Sequence, residues 1–236
     1  MELEEVKRHT LVEKVSDQLA KKIRSGFSFT GGVLPSERTL ATQFGVSRPV
    51  VREATKLLEF QGLVEIRQGL GIRVVNKLYA PLSAAAKLLL PDDTERLRQS
   101  LDVRMVLEPK IAERAAVRAT ADGITRLHEI QRTLEKASSL EEAMEADIAF
   151  HRELARISGN EIFGIMLDSI ADLGRDSRRA TMSQVGFDRA FHQHDVVLKA
   201  IERGEASAAE NAMQIHIQAA VSDLLAHFET GDSSKP

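Results

Sequence analysis

Apolar residues at helical spacing dominate this chain, and only one short stretch near the N-terminus has strand character. Over residues 11–23 they recur with the period of one helix face. Two shorter helical segments follow, each beginning at a serine suited to the N-cap position, Ser36 and Ser47, with Gly45 as the turn between them. The segments LVEIR and IRVVN then flank QGLG, which predicts a two-stranded hairpin with a glycine-rich turn.

After residue 76 the pattern is almost entirely helical. LYAPLSAAAKLLLPDD contains a linker and a short helix that Pro91 stops. Further helices are predicted near residues 94–119, 122–136, 140–158, 161–180, 184–203 and 206–229. We therefore predict a mainly α fold, with a winged helix-turn-helix in residues 1–77 and an all-helical bundle in residues 78–236.

Charge is distributed unevenly between these two parts. The net charge is −3, but residues 1–77 hold 13 Lys/Arg against 9 Asp/Glu, or +4, and the remaining 19 and 26 give −7. A basic N-terminal part can approach a polyanion such as DNA. The absence of cysteine excludes disulfides and thiolate sites. Since neither a membrane span nor a signal peptide is present in the pattern, we expect a cytoplasmic protein.

The second short helix divides its side chains as a recognition helix does. Its apolar positions Val51, Ala54 and Leu58 face one way, and the opposite side carries three cationic residues, Arg48, Arg52 and Lys56. Arginines at this spacing are also common on an ordinary solvated helix face. The order of the elements and the local positive charge favour DNA binding. Arg67 and Arg73 flank the wing turn and extend the same cationic surface.

The segment LPSERTLATQFGVSRPVVREATKLLEFQGLVEIRQGLGIRVV resembles the signature of the GntR regulators, in LPSER, VSR, VRE and the glycine-rich wing. The resemblance covers about residues 11–76. It implies a protein that binds operator DNA, and we expect a homodimer on a palindromic site. The implied DNA-contacting residues are Arg38, Arg48 and Arg52, with Ser47, Pro49, Gln68 and Gly69 beside them.

Polar residues occupy inward positions on three of the later helices. Asp147 and His151 lie one turn apart on one helical stripe, and His194 and His216 lie on the apolar stripes of two other helices. Any one of these histidines alone is well explained as a hydrogen-bonded core residue. A buried carboxylate, however, is costly unless it is paired or bound to a cation. One carboxylate with three imidazoles suits a divalent metal such as zinc, nickel or manganese.

The segments RMVLEPKIAERAA, DIAFHRELARISGN and HDVVLKAI, with the later His216, are similar to the FCD ligand-binding domain of the FadR subgroup of GntR regulators. This resemblance spans about residues 95–228. It implies that a metal is bound by Asp147, His151, His194 and His216, and we expect zinc, with nickel or manganese as alternatives. It also implies that the effector is an organic acid or a sugar acid.

Two further residues have alternative interpretations. Arg104 lies on an inward stripe with Glu108, and it either forms a buried ion pair with Glu108 or grips an effector carboxylate beside the metal. Asn160 either caps a helix or reaches the effector pocket.

The predicted function is a DNA-binding transcriptional regulator controlled by a small carboxylate effector. One alternative is a constitutive DNA-binding protein whose metal is purely structural. The other is a metal-dependent hydrolase. The hydrolase is disfavoured because the spacing of Glu153, the acid nearest the cluster in sequence, turns it away from Asp147 and His151. We therefore predict that the protein is not an enzyme.

Overall fold

The computed structural model describes residues 11–26, 32–175, 179 and 187–231, with side chains as far as residue 226. The chain divides into two compact units, Met1–Pro81 and Leu82–Pro236, called here the N-terminal unit and the C-terminal unit. The boundary predicted at residue 77 lies a few residues earlier. Within the described ranges, no helix is long and apolar enough to cross a membrane.

The N-terminal unit follows the predicted order of elements. Its described residues up to Val74 form three helices and a hairpin: α1 (Leu11–Arg24), α2 (Glu37–Phe44), α3 (Arg48–Phe60), β1 (Val64–Arg67) and β2 (Gly71–Val74). The two strands pair antiparallel, from Val64 opposite Val74 to Arg67 opposite Gly71. This arrangement is a helix-turn-helix followed by a two-stranded wing.

Local signals set the turn between α2 and α3. The Ser36 hydroxyl accepts the Thr39 N–H at 3.2 Å and so begins α2. Gly45 ends α2 with a φ of 65°, a left-handed conformation that glycine adopts without steric cost. Ser47 is the N-cap residue of α3 but makes no side-chain capping hydrogen bond. Its exposed hydroxyl therefore stays available for another partner.

The core of the N-terminal unit is apolar. Three α3 residues, Val51, Ala54 and Leu58, have no solvent exposure and pack with Leu19 of α1 and Leu40 of α2. Because α3 is held by this face alone, its opposite side is free to carry charge.

The C-terminal unit is a helical bundle in the described part of the chain. Its helices are α4 (Ala80–Leu89), which begins just before the division, α5 (Asp93–Arg118), α6 (Ala121–Glu135), α7 (Leu140–Ile157), α8 (Glu161–Leu173), α9 (Asp188–Glu202) and α10 (Ala206–Gly231). These helices match the predicted ones except around α8. That helix ends at Leu173, where Gly174 donates its N–H to the Ile170 carbonyl at 2.9 Å.

Two predicted helix boundaries cannot be compared with the structure. The predicted end of the fourth long helix and the predicted start of the fifth fall on residues 176–178 and 180–186, outside the described residues.

The helices of the C-terminal unit enclose one main core. It includes Phe150 and Leu154 of α7, Leu198 and Ile201 of α9, and Met213 of α10, all with at most 1% exposure. Helix α5 packs against α10, and α7 packs against α5, α6 and α8. The inward faces of α5, α7, α9 and α10 therefore converge, and each contributes polar residues to the interior.

Candidate metal centre and nucleic-acid interface

The outer face of α3 carries exposed cations. Arg48, Arg52 and Lys56 are all exposed, on the side opposite the buried Val51. A helix of this kind offers long donors to base edges and phosphates while its other side holds it to the unit. The division predicted from the spacing is therefore present in the structure.

Arg52 is held by an acidic partner that sequence spacing did not indicate. Its Nε and Nη2 donate to the two carboxylate oxygens of Glu37 on α2, each at 3.4 Å. This fork-shaped pair links α2 to α3. Because the side chains remain partly exposed, the pair orients the guanidinium more than it stabilises the fold.

The remaining predicted DNA-binding residues also lie on the surface of the N-terminal unit. Arg38, Ser47 and Pro49 are exposed around α2 and the start of α3, and Gln68 and Gly69 are exposed at the wing turn. Gly69 has a φ of 78°, so it makes the tight turn at the tip.

Four inward side chains of the C-terminal unit meet at one point. Asp147 and His151 of α7, His194 of α9 and His216 of α10 each place one ligand atom there, and these atoms all lie within 4.8 Å of one another. All four residues are buried. The structure thus brings together the four residues that the sequence predicts as metal ligands.

The Nε2 atoms of the histidines form the centre of the cluster. The Nε2 of His216 lies 3.3 Å from that of His194 and 3.3 Å from that of His151. The Asp147 Oδ1 is 3.4 Å from the His194 Nε2 and 3.9 Å from the His151 Nε2. These spacings leave a small polar centre surrounded by one oxygen and three nitrogens.

Neighbouring side chains fix the orientation of the rings. His216 Nδ1 lies 3.0 Å from the Gln193 Oε1, and His151 Nδ1 lies 2.5 Å from the Glu108 Oε2. The His194 ring stacks on Phe150 with a centroid distance of 4.1 Å. Acceptor oxygens beside Nδ1 favour a proton on that nitrogen, so the Nε2 atoms of His216 and His151 present lone pairs to the centre.

Burial keeps two of these imidazoles neutral. It lowers the pKa of His194 well below its ordinary value, and the neighbouring His216 lowers it further. Burial, with the added effect of His151, lowers the pKa of His216 to about 3. Bare lone pairs and a carboxylate facing one another repel, and a bound cation removes that repulsion. The donor set therefore fits a divalent metal.

Both interpretations of Arg104 have support in its surroundings. The side chain is buried, and its Nε donates to Glu108 Oε1 in a short ion pair within α5. Its Nη2 also lies 3.3 Å from the His151 Nε2 at the edge of the cluster. Burial favours loss of the Arg104 proton, but the charge of Glu108 outweighs it and raises the pKa of Arg104.

Glu108 bridges Arg104 and His151, and its contact with His151 was not predicted. Burial acts to raise the pKa of Glu108, but the neighbouring Arg104 and His151 hold it well below its ordinary value. The helical spacing of Arg104 and Glu108 indicated their mutual pair. The approach of Glu108 to α7 depends on how α5 and α7 pack, which the spacing does not contain.

A small cavity of about 10 Å³ adjoins the cluster between α5, α7 and α8. Arg104, Glu108 and His151 line one side, and Arg152 and Asp168 line another. Arg152 donates to Asp168 at 2.7 Å, a pair that sequence reasoning missed. The space is comparable to one water molecule, so an organic acid requires rearrangement of the residues that line it.

Two other residues considered from the sequence lie away from the cluster. Asn160 is the N-cap of α8, and its Oδ1 accepts the Ile162 N–H at 3.1 Å, as expected for a cap. It does not line the cavity. Glu153 is buried on another side of α7, where it accepts from Arg126 and Arg156.

Comparison with known proteins places both units in described families. Residues 11–74 match the family described as bacterial regulatory proteins, gntR family, and residues 99–219 match the FCD domain. The chain is 33% identical to the HTH-type transcriptional regulator LutR of Bacillus subtilis over 221 residues, covering 88% of this chain and 98% of LutR.

A second relative and a solved structure agree with this placement. The HTH-type transcriptional repressor NanR of Klebsiella aerogenes is 33% identical over 224 residues, covering 89% of this chain and 84% of NanR. A GntR structure from Streptococcus agalactiae superposes with a TM-score of 0.66 and 29% identity, covering 89% of this chain and 99% of that one.

Proposed function

The chain belongs to the gntR family of bacterial regulatory proteins and carries an FCD domain, and we propose that a small carboxylate effector, bound beside a metal ion, controls its binding to operator DNA. Its families and relatives are transcriptional regulators rather than enzymes, and the chain is a regulator of this type. The observation that carries the proposal is the buried cluster of Asp147, His151, His194 and His216.

The metal would supply a positive charge for an anionic effector. The donor set suits zinc, with nickel or manganese as the other options. Arg104 lies beside this centre, and a guanidinium can bind a carboxylate with two parallel donors. We therefore propose an organic acid or a sugar acid as the effector, with its carboxylate directed at the metal and Arg104.

Binding of such an acid requires the C-terminal unit to change. The adjoining cavity of about 10 Å³ is too small for it, so the α8 side of the cavity must move or repack. A ligand that binds only the opened arrangement shifts the population toward that arrangement. This differential binding is the physical source of a signal to the DNA-binding surface.

The DNA contacts are proposed for the exposed face of the N-terminal unit. In this proposal the exposed Arg48 and Arg52 of α3 enter the major groove, and the exposed residues Arg38, Ser47, Pro49, Gln68 and Gly69 lie beside them. We propose a homodimer on a palindromic operator, because two copies of one recognition helix fit two symmetric half-sites.

The proposal is tested by measuring effector binding with and without operator. Organic acids are first screened by thermal shift on zinc-loaded protein, and the strongest is titrated calorimetrically. Linkage requires operator DNA to change the affinity for the acid by the same factor that the acid changes operator affinity, typically about 5–150-fold. Arg104→Ala should lose this response and keep operator binding. Equal acid affinities with and without operator would contradict allosteric control by that acid.

The same experiment distinguishes this proposal from the alternative in which the metal is purely structural. Four protein ligands can saturate a tetrahedral zinc, and such a closed site stabilises the fold without admitting an effector. In that case zinc raises the melting temperature, no acid shifts it further, and operator affinity is the same with every acid tested.

A further inference from the structure

Glu108 lies between a predicted metal ligand and a buried cation. One of its carboxylate oxygens is 2.5 Å from His151 Nδ1, a close contact without the alignment of a hydrogen bond, and the other accepts from Arg104. Glu108 is 2% exposed, so water does not weaken either contact. A carboxylate against Nδ1 of a ligating histidine holds the ring and raises the basicity of Nε2, the nitrogen that faces the centre.

Arg104 acts on the same histidine from the opposite side. Its Nη2 lies 3.3 Å from the His151 Nε2, the atom that would bind the metal. A guanidinium in this position donates to that lone pair and adds a positive charge beside the centre. It therefore competes with a cation for His151, whereas Glu108 prepares His151 to bind one.

We propose that Glu108 and Arg104 are positioning residues with opposite effects on metal affinity: Glu108 promotes metal binding through His151, and Arg104 opposes it. This inference rests on the metal site of the proposed function. It assigns to Glu108 a role toward the metal, in addition to its ion pair with Arg104.

This arrangement links the effector to the metal. An anion that draws Arg104 away from the His151 Nε2 removes the effect of Arg104 on His151 and leaves that of Glu108. The anion also offsets the positive charge of Arg104. Metal and anion therefore bind more tightly together than apart, even before any direct contact between them is considered.

The test is zinc affinity, measured in competition with a chromophoric chelator at about pH 8, above the ordinary histidine range. The proteins are the full-length wild type, Glu108→Gln and Arg104→Met, with Glu153→Gln as the matched control. Glu153 is also a buried carboxylate with arginine partners, but those partners are Arg126 and Arg156 rather than a predicted ligand. Circular dichroism establishes that each variant is folded.

Opposite shifts are expected for the two variants. Glu108→Gln should weaken zinc binding by about 10–100-fold, the usual cost of losing an outer partner of a ligating histidine. Arg104→Met should tighten it severalfold, and Glu153→Gln should match the wild type. The proposal is overturned if Glu108→Gln matches the control, or if Arg104→Met weakens binding as a merely destabilised domain would. Wild-type protein that binds no zinc would instead contradict the proposed metal site.

Discussion

The two units of this chain use the same helical periodicity but place their charges oppositely. In the described part of the N-terminal unit, the buried polar side chains are those of Ser16 and Thr55, and every cation of α3 is exposed. Where its side chains are described, the C-terminal unit buries ionisable groups on four helices: Arg104, Glu108, Asp147, His151, Glu153, His194 and His216. One unit directs charge outward, and the other directs it inward.

This difference determines how much can be inferred from a single charged residue. A charge on a solvated helix face costs little, so Arg48 or Arg52 alone does not identify a DNA-binding surface. A charge in a core requires a partner, so Asp147 on an apolar stripe already indicates a pair or a cation. An exposed charge indicates a function only together with the fold around it, whereas a buried charge by itself indicates a partner.

Metal removal should have the largest effect, and it should lower the stability of the C-terminal unit without changing that of the N-terminal unit. At a free zinc concentration about 1,000 times the Kd, binding stabilises the C-terminal unit by about 4 kcal/mol, and chelation removes this stabilisation. His194→Ala should reproduce the loss with zinc present. Differential scanning calorimetry should show the transition of the C-terminal unit moving down while that of the N-terminal unit stays in place.

The control for this experiment is His192→Ala, an exposed histidine on the same helix as His194. Its melting profile should respond to zinc as the wild type does. A chelated wild type that melts with the zinc-loaded protein would show that the inward charges do not bind a stabilising metal.

Arg52→Ala should produce a smaller effect that is confined to the other unit. Loss of a base contact costs about 1–3 kcal/mol of specific binding, measured by fluorescence anisotropy on the upstream DNA of the protein's own gene. Operator affinity should also fall steeply with salt, because phosphate contacts release counterions. Equal losses on operator and unrelated DNA would assign Arg52 to the phosphates instead of the bases.

The variant Glu37→Gln tests whether Glu37 orients Arg52 for contact with a base. It removes the charge of the partner that holds the guanidinium at 3.4 Å but keeps the side-chain size. If Glu37 orients Arg52 for a base, the variant should lose preference for operator over unrelated DNA and gain nonspecific affinity. An unchanged preference would show that the pair has no part in recognition.

The smallest effect is expected from Glu153, the buried acid that faces away from the cluster. Burial acts to raise its pKa, but hydrogen bonds from Arg156 and Arg126 lower it below the ordinary value of 4.5. A lowered pKa contributes stability above that value, and the contribution is lost as the pH falls through the folded pKa. Glu153→Gln should therefore flatten the decline in stability below pH 4.5, as followed by urea unfolding, without changing zinc affinity. An acid decline as steep as that of the wild type would contradict this role.

The fold was largely predictable because its signals are local. Serine caps, the glycine at position 45 and the strand–turn–strand pattern of the wing depend on neighbouring residues. The structure contains the helices and strands that they predict, although Ser36 makes a capping hydrogen bond and Ser47 does not. The break after Leu173 was not predicted because Gly174 is the stop signal there, and a glycine inside a helical pattern is often tolerated.

The site was predictable only in part, for a related reason. The stripes of α7, α9 and α10 indicated that Asp147, His151, His194 and His216 face inward, and the structure brings them together. The pattern of residues along each single helix does not predict the contacts between helices. Glu108 beside His151 joins residues 43 positions apart, and Arg52 beside Glu37 joins residues of different helices. Such pairs depend on packing angles, which helical periodicity does not specify.

The most direct test of this division of charge is the zinc content of the purified protein after zinc loading and exhaustive dialysis, measured by mass spectrometry for the wild type, His194→Ala and Arg52→Ala. The account predicts about one zinc ion per chain in the wild type and in Arg52→Ala, and almost none in His194→Ala. Zinc retained in full by His194→Ala, or absent from the wild type, would contradict it.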